Sequence, residues 1–104
     1  MKVIYSKSFQ KSYRKQSGKI QKSIVHAVRE VKEAISEENL TDCIKLTGFK
    51  NAYRLRIGDL RIFFILRVEG TTVAFEYIVS RGQAYSRKMM DRLKGKDNKD
   101  PLSS

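Results

Sequence analysis

The sequence predicts an α+β fold: an N-terminal strand and a helical hairpin packed on a mostly antiparallel β-meander sheet, with a short C-terminal helix. Three observations carry this reading. Apolar residues recur at helical spacing from Ile20 through Ile24, Ala27, Val28, Val31, Ala34 and Ile35, with charged residues between them. A Gly58-Asp59 pair separates two alternating apolar runs, as the two-residue turn of a hairpin would. A third β-forming run, Thr71 to Ser80, follows a turn at Glu69-Gly70. One helical layer on one face of the sheet is expected, with the other face open.

The elements follow in chain order. Lys2 to Ser6 alternates apolar residues as a short strand does, and Ser6 or Ser8 can cap the helix after it, in which Phe9 and Tyr13 share a face. Gly18 interrupts the helical pattern, so a second helix of about five turns begins near residue 19 and completes the hairpin. Residues 36–52 mix acids, Thr, Asn and Gly and predict a loop in which Leu46 reaches the core and Cys43 acts as a small buried hydrophobe. In the hairpin, Ile57 should pair with Leu60, Arg56 with Arg61 and Leu55 with Ile62. Tyr53, Leu55, Ile57, Leu60, Ile62 and Phe64 then line the core face, while Arg54, Arg56 and Arg61 share the other.

Strict alternation through the third strand adds Val73, Phe75, Tyr77 and Val79 to the core face. It sends Ala74, Glu76, Ile78 and Ser80 to the arginine face, with Phe63, Ile65 and Arg67 from the middle strand. Glu76 then lies opposite Phe63 and diagonal to Arg61, placed to act as a counter-ion, while Arg67 reads as a solvated edge charge. Arg81, just past the strand end, is expected to swing to the basic face. Gln83 to Leu93 reads as the last helix, with Tyr85, Met89, Met90 and Leu93 at helical spacing. The expected organisation is one domain over residues 1–93 and a polar, disordered tail over 94–104.

Composition narrows the chemistry. The 104 residues suffice for one small core, and 22 Lys plus Arg against 11 Asp plus Glu leave a formal charge of +11, which suits a polyanionic partner. A single cysteine excludes an intramolecular disulfide, and a single histidine, His26, excludes triads and metal centres built on several imidazoles. No metal or cofactor is therefore expected, and His26 reads as structural or exposed. No apolar run is long enough for a signal peptide or a membrane span, so a cytoplasmic protein is expected. Like charges opposite one another in a sheet repel, so Arg56 and Arg61 call for a compensating acid or an anionic ligand, of which a phosphate chain is the simplest.

Leu46 and Gly48 ahead of the run Tyr53 to Arg61, and then Arg81-Gly-Gln-Ala-Tyr85 after a strand, resemble the RelE/ParE superfamily of bacterial toxins. The resemblance covers roughly residues 1–93. It implies a prokaryotic toxin held by a cognate acidic antitoxin, whose members either cut mRNA, often on the ribosome, or poison DNA gyrase. For the RNA-cutting branch it implies Arg61, Arg81 and Tyr85 as catalytic residues and Arg54 and Arg56 as phosphate- and RNA-binding residues. Such cleavage proceeds by attack of the ribose 2′-OH on the adjacent phosphate. Arginine suits the holding of that phosphate, because its planar fork of donors stays charged, but for the same reason it moves protons poorly. Tyr85 is the better proton-transfer group, with Glu76 as the fallback base. Some relatives carry Lys where Arg54 and Arg56 stand, or a Glu or His in the site. A gyrase inhibitor and a non-catalytic nucleic-acid- or antitoxin-binding module therefore stand as alternatives.

Overall fold

The structure is a computed structural model that describes residues 2–34, 43–67 and 72–99. Among them the order is β1 (Lys2–Tyr5), α1 (Lys7–Arg14), α2 (Gly18–Glu33), β2 (Cys43–Lys45), β3 (Ala52–Ile57), β4 (Leu60–Arg67), β5 (Thr72–Ser80) and α3 (Arg87–Asp97). The strands form one sheet in the order β1-β5-β4-β3-β2, antiparallel except where β1 runs parallel to β5. The α+β class and the mostly antiparallel meander are as the sequence predicts. Ile35 and the Glu69-Gly70 turn lie outside the described residues.

Local chemistry sets the helix boundaries. Ser6 and Ser17 adopt extended backbone and their hydroxyls accept from the amides of Phe9 and Ile20, so each starts a helix by satisfying an orphan donor. The apolar stripe of α2, with Ile24, Val28 and Val31 buried, packs with Phe9 on Tyr53, Leu55, Ile62, Phe64, Val73, Phe75 and Ile78. Rings of Tyr53 and Phe64 stack at 5.3 Å, and Phe64 meets Phe75 at 5.6 Å. Each fully buried ring here contributes roughly 2–3 kcal/mol of transfer free energy.

The hairpin register is the expected one, with Arg56 opposite Arg61 and Ile57 opposite Leu60. Gly58 sits at φ +54, the left-handed conformation that a primed hairpin turn demands at its first position. Elsewhere the structure departs from the simple pattern. The segment read as a loop contains β2, a three-residue edge strand on β3, and Leu46 beyond it is buried. So short a strand, with two of its three residues exposed, leaves no alternation to detect.

The face opposite the helical hairpin is not open. Phe63, Ile65 and Tyr77 would leave a large apolar area in water, and α3 covers it with Met89 and Leu93, joined by Leu46, Ala52 and Ala84 in a second core. The last helix starts at Arg87 rather than Gln83, because the Ser86 hydroxyl caps it by accepting from the Met89 amide at 3.2 Å. It also runs past residue 93. Asp97, only 4% exposed, accepts from the amides of Lys50 and Asn51 at 2.6 and 2.8 Å, and Lys94 donates to the Gly48 carbonyl. Residues 94–97 thus belong to the packed fold rather than to a tail; residues 100–104 lie outside the described residues.

The alternation of β5 is broken once. Phe63 faces Tyr77 but Phe64 faces Phe75, so Glu76 is an extra residue, a β-bulge. Beyond it the faces exchange: Ile78 joins the first core, whereas Tyr77 and Val79 belong to the second. The expected core positions of Tyr77 and Val79, and the outward position of Ile78, are corrected accordingly. Among the described residues no helix is long and apolar enough to cross a membrane.

Two stability measurements follow. Asp97→Ala strands two backbone donors and is expected to lower unfolding free energy by about 2 kcal/mol in urea titration, with α3 exchanging its amides faster than α2. Gly58→Ala places a Cβ on a left-handed residue and should cost about 1–2 kcal/mol in the same titration.

Candidate functional site

The arginines stand where α3 leaves the second face of the sheet uncovered, towards the tip of the β3–β4 hairpin. Arg54 projects from β3 opposite Phe63 and is half-buried. Its Nη1 donates to the Tyr85 hydroxyl at 3.2 Å. Tyr85 lies in the turn between β5 and α3, is 51% exposed, and meets the Phe63 ring edge-on at 6.3 Å. The contact joins residues 31 apart in sequence, and it holds a cation against a group that can carry a proton. Because the hydroxyl accepts from Arg54, its own hydrogen is available to another acceptor.

Arg56 is exposed one step nearer the turn. Arg61, across from it, is 8% exposed, and its Nη1 donates to the carbonyls of Gly58 at 2.8 Å and Leu60 at 2.9 Å. Those carbonyl dipoles offset part of the repulsion that an Arg56–Arg61 pair creates. The guanidinium of Arg61 thereby braces the turn while its charge lies just beneath the surface. Arg81 is exposed, and its amide donates to the Asp59 carbonyl at 2.8 Å, which fastens it beside the hairpin tip. Beyond the bulge Tyr77 and Val79 lie on the second face, and Arg81 follows as the first residue after β5.

Glu76 is not with these arginines. Buried at 6% exposure, its carboxylate lies 3.8 Å from Arg67 Nη2 and 3.7 Å from Lys96 Nζ, and it therefore serves as counter-ion to this pair rather than to Arg61. The position diagonal to Arg61 assumed unbroken alternation, and the bulge removes it. Arg67 is correspondingly no solvated edge charge: its guanidinium also donates to the carbonyls of Lys99 at 2.7 Å and Lys96 at 3.0 Å, closing the C-terminal end of α3. His26 is exposed on α2 with Nε2 2.6 Å from Glu30 Oε1, far from any cluster of this kind.

Phe63 occupies the arginine face expected for it, whereas the sequence does not single out Arg92. Phe63 forms the floor under Tyr85, and Arg92 on α3 stands over the Tyr77 ring at 4.9 Å. The Ser86 cap starts α3 at Arg87 and sets Tyr85 free of the helix, and Arg92 is the helix residue that meets the Tyr77 ring.

No family model matches the sequence. The toxin RelE3 of Methanocaldococcus jannaschii is 34% identical over 86 residues, which cover 82% of this chain and 96% of that protein. A chain in the crystal structure of the RelB-RelE antitoxin-toxin complex from Methanococcus jannaschii superposes with a TM-score of 0.66 at 30% identity, over 80% of this chain and 95% of that one. A chain of the archaeal RelE-RelB complex from Pyrococcus horikoshii has the same fold, with a TM-score of 0.67 at 20% identity, over 80% of this chain and 97% of that one. A third of the residues shared over nearly the whole of the RelE3 sequence, on a common fold, establish that this chain belongs to the RelE toxin family.

Proposed function

We propose that this protein is the toxin of a RelBE-type toxin-antitoxin pair and that it cleaves mRNA on the ribosome, with Tyr85 as the proton-transfer group. The observation that carries the reading is the Arg54–Tyr85 contact at 3.2 Å on an exposed, arginine-lined surface. Holding a phosphate needs only cations. Cleaving its ester needs a proton carrier beside them, and this surface has one.

In this mechanism Arg56 and Arg81 hold the phosphate from the hairpin tip, and Arg54 bridges the phosphate and Tyr85. The ribose 2′-oxygen attacks phosphorus as its proton departs to a base. The P–O5′ bond then breaks, leaving a 2′,3′-cyclic phosphate on one fragment and a 5′-hydroxyl on the other once the 5′-oxygen is protonated. Tyr85 is placed to serve one of these two proton transfers. Negative charge developing on the non-bridging oxygens falls to the guanidinium groups, which keep their protons. Arg61 contributes by bracing the turn and by its buried charge rather than by reaching the phosphate.

Charge also argues for the partner. Both archaeal structures are complexes with RelB. A chain carrying +11 is matched by an acidic antitoxin, a segment of which laid over Arg54, Arg56 and Arg81 would block RNA while associating quickly by charge steering.

Incubated with translating ribosomes, the protein is expected to generate mapped message ends, and Tyr85→Phe should slow their formation by about 10²–10⁴-fold with the fold intact. Unchanged cutting by Tyr85→Phe would remove Tyr85 from the chemistry; no cutting alongside inhibited gyrase supercoiling would replace the nuclease with a gyrase poison. Binding to a short single-stranded RNA should weaken linearly on a log-log plot against salt, and Arg81→Ala should reduce that slope by about 0.7 if this residue contacts one phosphate.

A further inference from the structure

The buried carboxylate of Glu76 is unused by the chemistry above, yet it stands where three parts of the fold meet. It is the extra residue of the β5 bulge. Its backbone carbonyl accepts from the Ser6 hydroxyl at 2.6 Å, and the Ser6 amide donates to the neighbouring Phe75 carbonyl at 3.0 Å. Ser6 therefore fixes the bulge to the start of α1 on one side. On the other, the carboxylate lies between Arg67 of β4 and Lys96 of α3, and Arg67 itself donates to the last carbonyls of α3.

Bulges exchange the faces of everything that follows, and this one is followed by the site. Downstream of Glu76 come Tyr77 and Val79 on the second face, then Arg81 bonded to the hairpin turn, then Tyr85 against Arg54. Removing the extra residue from the register would send Tyr77 and Val79 towards the helical hairpin and separate the Arg81 amide from the Asp59 carbonyl. The helix tethered at its C-terminal end by Glu76 and Arg67 begins one residue after Tyr85 is followed by its cap, Ser86. A carboxylate in such a place is costly to bury without its cations, so Glu76, Arg67 and Lys96 act as one unit.

We propose that Glu76 is a positioning residue for the RNA-cleaving site: with Arg67 and Lys96 it holds the bulge and α3 in the one arrangement that brings Arg81 and Tyr85 to Arg54 and Arg56. This rests on the assignment of those residues to RNA cleavage, though the positional half of it is a statement about geometry alone. Glu76 does not exchange protons with substrate. Its charge acts through the register of β5 and the seating of α3.

The test uses the full-length protein and Glu76→Gln, which keeps the shape and removes the charge. Cleavage of ribosome-bound message should fall by about tenfold to a hundredfold, chiefly in kcat, as expected for small displacements of positioned groups. Both limbs of the pH profile should remain. In a Tyr85→Phe background the same change should cost much less than in the wild type, because its effect passes through Tyr85. In NMR spectra the Arg81 amide and the Tyr85 ring signals should shift in Glu76→Gln. If this variant does not fold, Lys96→Gln removes one cation from the exposed side and should move the same two signals.

Loss of one limb of the pH profile would make Glu76 the base and overturn the proposal. So would full cleavage by Glu76→Gln, or a loss that is additive with Tyr85→Phe. Should the wild type cut no RNA at all, the nuclease assignment fails separately, and the NMR comparison still decides: unmoved Arg81 and Tyr85 signals refute the positioning role, and displaced ones uphold it.

Discussion

A central strand that is apolar on both faces has to be covered on both, and that constraint shapes this molecule. Five consecutive residues of β4, Arg61 to Ile65, are buried, two of them phenylalanines on opposite faces. The helical hairpin covers Phe64 and Ile62, and α3 covers Phe63 and Ile65. One helix of 11 residues cannot span the whole second face. Its cover stops short of the hairpin tip, and the strip that stays wet is occupied by side chains that tolerate water and each other's neighbourhood only with help.

That help is local. Arg61 finds the carbonyls of its own turn, Arg54 finds the Tyr85 hydroxyl, and Arg81 is held through its backbone rather than its side chain. Arg54 and Arg61 are therefore oriented by groups that carry no full negative charge, which leaves their own charge in place. Among the described residues the acids with the deepest burial, Glu76 and Asp97, both act on α3, at the end of the helix remote from Tyr85. Anchoring and function are thus separated along one helix.

The features that sequence exposes are those set by neighbouring residues. The Gly58-Asp59 turn, the Arg56–Arg61 pairing, the stripe of α2 and the serine that opens α1 depend on spacing and capping within a few positions, and each is present as expected. The features it conceals are those decided by distant partners. Nothing in Thr72–Ser80 marks Glu76 as an extra residue, because the bulge is defined by what Phe63 and Phe64 face. The run after Leu93 is rich in Lys, Gly and Asp and looks like a tail; it is helix because Asp97 meets two amides from residues almost fifty positions away. Tyr85 and Arg81 were identifiable as residues of interest, whereas the partnership of Tyr85 with Arg54 and the diversion of Glu76 to Arg67 exist only in three dimensions.

The parallel pairing of β1 with β5 joins residues 2–5 to residues 72–75, so the first strand in the chain is seated beside the last strand of the meander. Ser6 cannot meet Glu76 until residue 76 has been made, nor Arg54 meet Tyr85 until residue 85 has. A nascent chain that has reached only the hairpin displays Arg54 without Tyr85 and an apolar sheet face without its cover. The Arg54–Tyr85 contact and the cover over the second face are thus late products of the chain, completed only after the hairpin that they close upon.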